Sequence, residues 1–381
     1  SPLRVSVSSM KSSQRREDGG DLAGRKTRHL EICIDEAKFA VETTPSRFDE
    51  VHLIHRALPE ANEATVDTGT EFLGKRVAMP LFVSSMTGGS AEGYLANKQL
   101  AQAAEKLGIP VGMGSIRILW RKPEVMEHFQ LKRFAPSVPV FANIGGVQLP
   151  SMSHPEIVEM LKRLEVDGVA VHLNPGQELF QIDGDRDFRG ILAAIARFCE
   201  KAPVPVIVKE TGFGICPAEV DRLFSAGAAY VDLAGSGGTN WAQVESYRLE
   251  DASQKNAAQE FGDWGMPTPL ILAALGRNRS GILASGGVRG GMDVVRSLAL
   301  GAELVGTALP FIRAIHNGGI EAAVAHGKQV EKVLRTAMLL TRSSRPEQLR
   351  STPIWLSRSL RDDAEAVAAA DGEIREKERT E

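Results

Sequence analysis

Between residues 80 and 310 the chain repeats one pattern, in which a short apolar run ends on Gly, Ser, Asn or Lys and an amphipathic stretch follows. The runs are Leu81–Ser85, Ile109–Ser115, Val138–Gly145, Gly168–Asn174, Val204–Thr211, Tyr230–Gly235, Gly281–Val288 and Glu303–Pro310. Each is short and β-branched without strict alternation, the mark of a parallel strand covered on both faces. The intervening stretches carry helix signals. Asn97–Leu107 has apolar residues at helical spacing and is followed by Gly108. Pro155–Leu164 opens with Pro and Glu, and Pro217–Ala226 and Met292–Leu300 close on Gly227 and Gly301, where a left-handed residue ends a helix. Eight strands alternating with helices over ~230 residues predict an α/β fold, a (β/α)8 barrel. A doubly wound open sheet is the alternative, because alternation alone does not prove closure.

Outside this region the rhythm fails. About 30 residues after Gly238 lack helix periodicity, a length typical of functional lids or interface segments. The part before residue 80 reads as an N-terminal extension able to fold over one barrel face. Residues 1–24, rich in Ser and Arg at the start, are expected to be disordered or vector-derived. Residues 25–345 are expected to form a single barrel domain, and 346–381 a tail ending in a frayed helix or disorder.

Composition narrows the class. Lys+Arg total 45 against 48 Asp+Glu in 381 residues, a formal charge of −3 that removes the basic footprint of a nucleic-acid binder. The three cysteines, Cys33, Cys199 and Cys216, form neither a disulfide framework nor a CxxC cluster, which fits a reducing cytoplasm. No apolar run approaches the roughly 20 residues of a membrane span.

In a barrel the residues just past each strand face one mouth. Here they are Met86-Thr87-Gly88-Gly89, Ser115 and Arg117, Asn143-Ile144-Gly145-Gly146, His172 with Asn174, Gln177 and Glu178, and Lys209-Glu210. The last three strands add Gly235 to Asn240, Ser285 to Arg289 and Gly306 to Pro310. The run SGGVRGG (285–291), beside GTALPF on the next strand, makes a phosphate cradle of backbone N–H groups; taken singly, these glycines are turn residues. Lys209 points inward and needs an anion. A structural pair with Glu210, a flavin's N1–C2=O edge and a Schiff base all satisfy that need. Glu178, grouped with His172, Asn174 and Gln177, suits a divalent ion that shares substrate phosphates. Arg25, Lys26 and His29 are either a solvated face or, if the extension covers the mouth, a diphosphate clamp.

The order of MTGG (86–89), GSxR (114–117), FANIG (141–145), HLNPGQE (172–178), KETGFG (209–214), GSGGTNW (235–241) and SGGVRGG, behind RKTRHLEIC (25–33), resembles the type 2, flavin-dependent isopentenyl-diphosphate delta-isomerases. The resemblance runs from about residue 25 to about 345. Ile116 stands where the family more often has Gln. It implies FMN held by Met86, Thr87, Gly88, Ser115, Asn143, Lys209 and Thr239, with its phosphate on Gly287, Arg289, Ala308 and Leu309. It implies an isoprenoid diphosphate on Arg25, Lys26, His29, Arg117, His172, Asn174 and Gln177, and Mg²⁺ on Glu178. Gln177, His172 and Lys209 are the catalytic positions it implies, with reduced FMN as acid/base and NADPH or NADH as reductant. A cytoplasmic homotetramer or homo-octamer, without nucleic-acid partners, completes the expectation. A hydroxy-acid-oxidase-type oxidoreductase and a non-catalytic flavin- or phosphate-binding protein remain as rivals.

Overall fold

The computed structural model describes residues 18–87 and 89–380. Eight parallel strands close into a barrel: β1 (Leu81–Val83), β2 (Val111–Gly112), β3 (Val140–Gly145), β4 (Gly168–His172), β5 (Val206–Lys209), β6 (Tyr230–Asp232), β7 (Ile282–Ala284) and β8 (Leu304–Thr307). The ring closes where β8 pairs with β1 through Val305–Leu81 and Thr307–Val83. All eight fall within the apolar runs of the sequence, and the open-sheet alternative is excluded.

Inward-facing Phe82, Phe141, Ala170, Ile207, Leu283 and Leu304 fill the barrel, with Phe72 beneath them on a hairpin (Thr70–Phe72 with Lys75–Val77). Two strand glycines make room for the rings: a Cβ on Gly112 would meet Phe141 at 2.4 Å, and one on Gly306 would meet Phe82 at 2.4 Å. The outward-facing residues, among them Val140, Val169, Val171, Val208 and Val305, join the larger core under the helices. A filled interior and a plugged floor leave only the opposite, C-terminal end open to a ligand.

The predicted helices form with their stops. Helix Ala91–Leu107 is capped by Ser90 and ends on Gly108 at φ 67°, while Gly227 (φ 95°) and Gly301 (φ 111°) follow helices Pro217–Ser225 and Gly291–Ala299. A helix at Asp18–Ile34, here α1, begins ahead of residue 25; residues 1–17 lie outside the described residues. The tail is built as well. Ile354–Leu356 pairs antiparallel with Val51–Leu53, and helix Arg358–Thr380 packs on Pro217–Ser225, where Asp371 accepts from Ala218 N at 2.6 Å.

The long segment after β6 differs from the loop expected. It holds helix α2 (Trp241–Ser246) and helix α3 (Ala252–Gln259). Asn240 caps α2 by accepting from Gln243 N at 3.0 Å, and Asp251 caps α3 in the same way. Neither helix reaches three turns, which is why helical periodicity did not register.

Candidate active site

The mouth opens into one cavity of about 1450 Å³, counting its open side. Its wall includes Arg25, Lys26 and His29 of α1, Arg117, and Asn174, Gln177 and Glu178 after β4. It also includes Met86, Thr87, Ser115, Asn143, His172, Lys209, Thr239, Gly287, Ala308 and Leu309. Of the residues expected at the site, Arg289 is not part of the wall, and Gly88 lies outside the described residues.

Strand register builds the centre. Gly145, His172, Lys209 and Asp232 are successive cross-strand partners on β3 to β6, so the side chains of the last three sit at one height. His172 Nδ1 lies 2.6 Å from Asn143 Oδ1. An amide oxygen only accepts, so Nδ1 carries the proton and Nε2 keeps its lone pair. Burial, reinforced by Lys209, Lys26 and Arg117, pushes the His172 pKa down to about 3, which keeps the ring neutral.

Lys209 is buried, and its ammonium donates to Glu210 O at 2.5 Å. Glu210 is not its ion partner. Its carboxylate takes backbone N–H groups of Thr211, Gly212 and Phe213 at 2.5–2.6 Å and fixes the loop after β5. The carboxylate level with Lys209 is Asp232, 1% exposed, which accepts from Ser285 Oγ at 2.7 Å. Burial raises the Asp232 pKa, against the pull of Lys209.

A polar chain runs along the other side. Asn174 Nδ2 donates to Gln177 Oε1 at 3.1 Å and to Glu178 Oε1 at 3.2 Å, and Gln177 Nε2 donates to Glu245 Oε1 at 3.1 Å. Glu178 Oε2 accepts from Asp185 N at 2.8 Å. Glu245, on α2, was missed in the sequence because its segment read as a loop. Arg248 Nη1 meets its carboxylate at 2.5 Å, and His29 Nε2 lies 2.9 Å away without hydrogen-bond alignment. Burial opposes charge on Glu245, yet His29, Arg248 and Gln177 outweigh it and bring its pKa down to about 2. The signal available was the pair Glu245 and Arg248, three residues apart behind a capping Asn.

Lys26 donates to Ser115 O at 3.2 Å, and burial together with Arg25 lowers its pKa to about 7. Burial likewise lowers His29 and Arg25. A cationic wall this desolvated favours an anionic guest.

The cavity has the marks of a flavin site. The hydroxyls of Ser84, Ser85 and Thr87 are buried in its wall without hydrogen-bond partners. Thr307 Oγ1 donates to Val288 O at 2.9 Å, tying the two late phosphate-cradle loops together. For a metal, Glu178 is one buried carboxylate beside two amides. Among the described residues no group of three or more His, Cys, Asp or Glu could hold an ion alone. One carboxylate completed by substrate phosphates and water fits Mg²⁺.

Comparison with known proteins agrees with this geometry. The family model described as FMN-dependent dehydrogenase matches residues 34–120 and 187–356, which makes the class a flavin-dependent barrel enzyme. Solved structures show the same fold. A mutant flavocytochrome b2 with benzoylformate has a TM-score of 0.64 at 18% identity, covering 91% of this chain and 86% of that one. A Pediococcus acidilactici (putative) lactate oxidase gives 0.60 at 17% identity, with 87% of each chain covered. Sequence relatives are far nearer. Isopentenyl-diphosphate delta-isomerase of Borreliella afzelii (strain PKo) is 44% identical over 333 residues, 87% of this chain and 93% of that protein. Its namesake in Nostoc sp. is 40% identical over 300 residues (78% and 85%), and that of Pyrococcus abyssi 36% over 347 (89% and 93%). The chain belongs to the isopentenyl-diphosphate delta-isomerase family.

Proposed function

We propose that this chain converts isopentenyl diphosphate to dimethylallyl diphosphate by a 1,3-allylic proton shift, with reduced FMN, Mg²⁺ and an NADPH or NADH reductant. The observation that carries the reading is the one cavity lined by Arg25, Lys26, His29 and Arg117, by Asn174 with Gln177 and Glu178, and by the unpartnered hydroxyls of Ser84, Ser85 and Thr87. FMN, when bound and reduced, would supply the acid/base chemistry at its ring.

The residues supply the rest. Arg25, Lys26 and Arg117 bind the diphosphate and keep it from leaving while cationic character develops on the alkene. Neutral His172 offers Nε2 as an acceptor, with its tautomer fixed by Asn143. Glu178 would hold Mg²⁺, which would share the charge of the diphosphate. Gln177, pinned between Asn174 and Glu245, orients the hydrocarbon end. Lys209, buried in the wall, would lie against the flavin ring and favour negative charge on it. His29 completes the diphosphate clamp, its ring held edge to face against Trp241 at 5.3 Å. We infer a cytoplasmic homo-oligomer, tetramer or octamer, on family resemblance; among the described residues no helix is long and apolar enough to cross a membrane.

The test is an anaerobic incubation with isopentenyl diphosphate, FMN, Mg²⁺ and NADPH, in which dimethylallyl diphosphate and consumed NADPH are both quantified. Many products per NADPH, and none with oxidised flavin, are expected. One-for-one consumption of NADPH would instead make the protein an oxidoreductase on the same barrel.

A further inference from the structure

The segment 39–47 of the N-terminal extension crosses the phosphate end of the cavity as a strap. Asn240 N donates to Val41 O at 2.8 Å, Tyr247 Oη meets Ala40 N and O at 3.1 and 3.3 Å, and Thr43 Oγ1 donates to Gly262 O. Ser46 packs where Gly237 and Gly287 lack side chains; a Cβ on either would come within 2.8 Å of it. One charged group of this strap enters the cavity wall, the carboxylate of Glu42. Its Oε1 lies 2.8 Å from Arg289 Nη2 and its Oε2 lies 3.6 Å from Arg313 Nη1. Neither arginine is part of the wall. Arg289 is held by Gly287 O at 2.9 Å and Gly237 O at 2.7 Å, and Arg313 by Cys33 O at 3.3 Å. The ion pairs and the tethered strap hold Glu42 at this edge of the cavity.

A carboxylate facing a phosphate cradle needs a reason, and the cavity offers one. Two anions of like chemistry enter this single space: a flavin phosphomonoester at the strap end and a diphosphate at the α1 end. We propose that Glu42 sets the anion selectivity of the cradle, admitting the monoester and disfavouring the more highly charged diphosphate. The inference rests on the reading that the flavin's phosphate sits between the loops after β7 and β8. Arg313 also pairs with Glu36, whose Oε1 lies 3.0 Å from its Nη1, so two carboxylates balance the two guanidiniums and the backbone N–H groups of the loops after β7 and β8 are left to hold a monoester. Each additional negative charge on the guest meets the same repulsion again, so the penalty grows with guest charge. The bland alternative is that Glu42 only holds Arg289 and Arg313 in place, and the two roles predict opposite signs.

The full-length chain, stripped of flavin and free of Mg²⁺, is titrated with FMN and with riboflavin by flavin-fluorescence quenching, with and without inorganic pyrophosphate. Glu42→Gln keeps the shape and an acceptor oxygen for Arg289 while removing the charge. It is expected to bind FMN about tenfold more tightly, to leave riboflavin unchanged, and to make pyrophosphate about tenfold more effective as a competitor of FMN. Glu42→Ala, which removes charge and acceptor together, should bind FMN less tightly than Glu42→Gln. Weaker FMN binding by Glu42→Gln, or unchanged pyrophosphate competition, would overturn the proposal. An unaltered chain that binds riboflavin as tightly as FMN would overturn the phosphate cradle and the role of Glu42 with it.

Discussion

Lys26 shows how one residue of the mouth couples burial to binding. Its ammonium is desolvated and shares the space with Arg25, so its pKa falls to about 7 from the usual 10.5. A diphosphate beside it restores the charged form, so binding above pH 7 must first take up a proton. The apparent KM for isopentenyl diphosphate is therefore expected to rise between pH 7 and 9, approaching tenfold per unit, and to flatten in Lys26→Arg. A flat profile in the unaltered enzyme would remove Lys26 from the clamp. Glu178 calls for a different measurement. Its carboxylate accepts from the Asn174 amide and from Asp185 N and lies within electrostatic reach of Arg25. Glu178→Gln should lower turnover at least ~100-fold at limiting Mg²⁺ while the flavin absorbance of the purified protein stays intact; turnover and Mg²⁺ dependence like those of the unaltered chain would sink the metal assignment.

Elements decide which of these residues sequence could reveal. The strands were legible because each is a short apolar run closed by a polar residue, and parallel pairing then sets Gly145, His172, Lys209 and Asp232 level. Glu245 was not legible, because α2 is six residues long and its placement depends on packing against α1 and the short helix after β4. Glu42 was hidden for a related reason: an extended strap has no periodicity, and its position comes from tethers to Asn240 and Tyr247, some 200 residues away in sequence. Arg289 illustrates the converse. Its motif was plain, but three acceptors turn its guanidinium behind the wall. Asn240 is the hinge between these elements, since its side chain caps α2 and its amide holds the strap. Asn240→Ala is expected to cost about 1–2 kcal/mol of stability. It should also raise KM for the diphosphate, because Glu245 and Gln177 lose their fixed spacing. Denaturation and steady-state kinetics on the same preparation would show whether the two effects appear together.

Across the whole molecule the barrel separates what stabilises from what acts. The floor is apolar: Phe72 on its hairpin lies among Phe82, Phe141 and Tyr230, with ring centroids 5.0–6.5 Å away. The mouth, by contrast, buries Lys26, His29, His172 and Asp232 against their solvation preference. Desolvation of these groups opposes folding, as is common where a site is organised for binding and not for stability. Substitutions at the two ends should therefore move stability and function in opposite directions. Phe72→Ala leaves a cavity in a closed core and is expected to cost about 3–5 kcal/mol, lowering Tm with little change in KM. Lys26→Met removes a cation whose folded pKa is depressed. Its sign follows from proton counts: between pH 7 and 10.5 the unfolded chain binds the proton that the folded chain has released, so the lysine's destabilising effect fades as pH rises through this window and is full below it. Lys26→Met should then stabilise the fold at pH 7 by on the order of 1 kcal/mol, read as a higher Tm, while weakening diphosphate binding severely. The gain should shrink toward pH 10. Thermal melts of both variants at pH 7 and pH 9.5, read beside KM at pH 7, test the separation. A Lys26→Met chain that melts below the unaltered protein at pH 7 would mean that its bond to Ser115 O, and not its desolvated charge, dominates that side of the mouth.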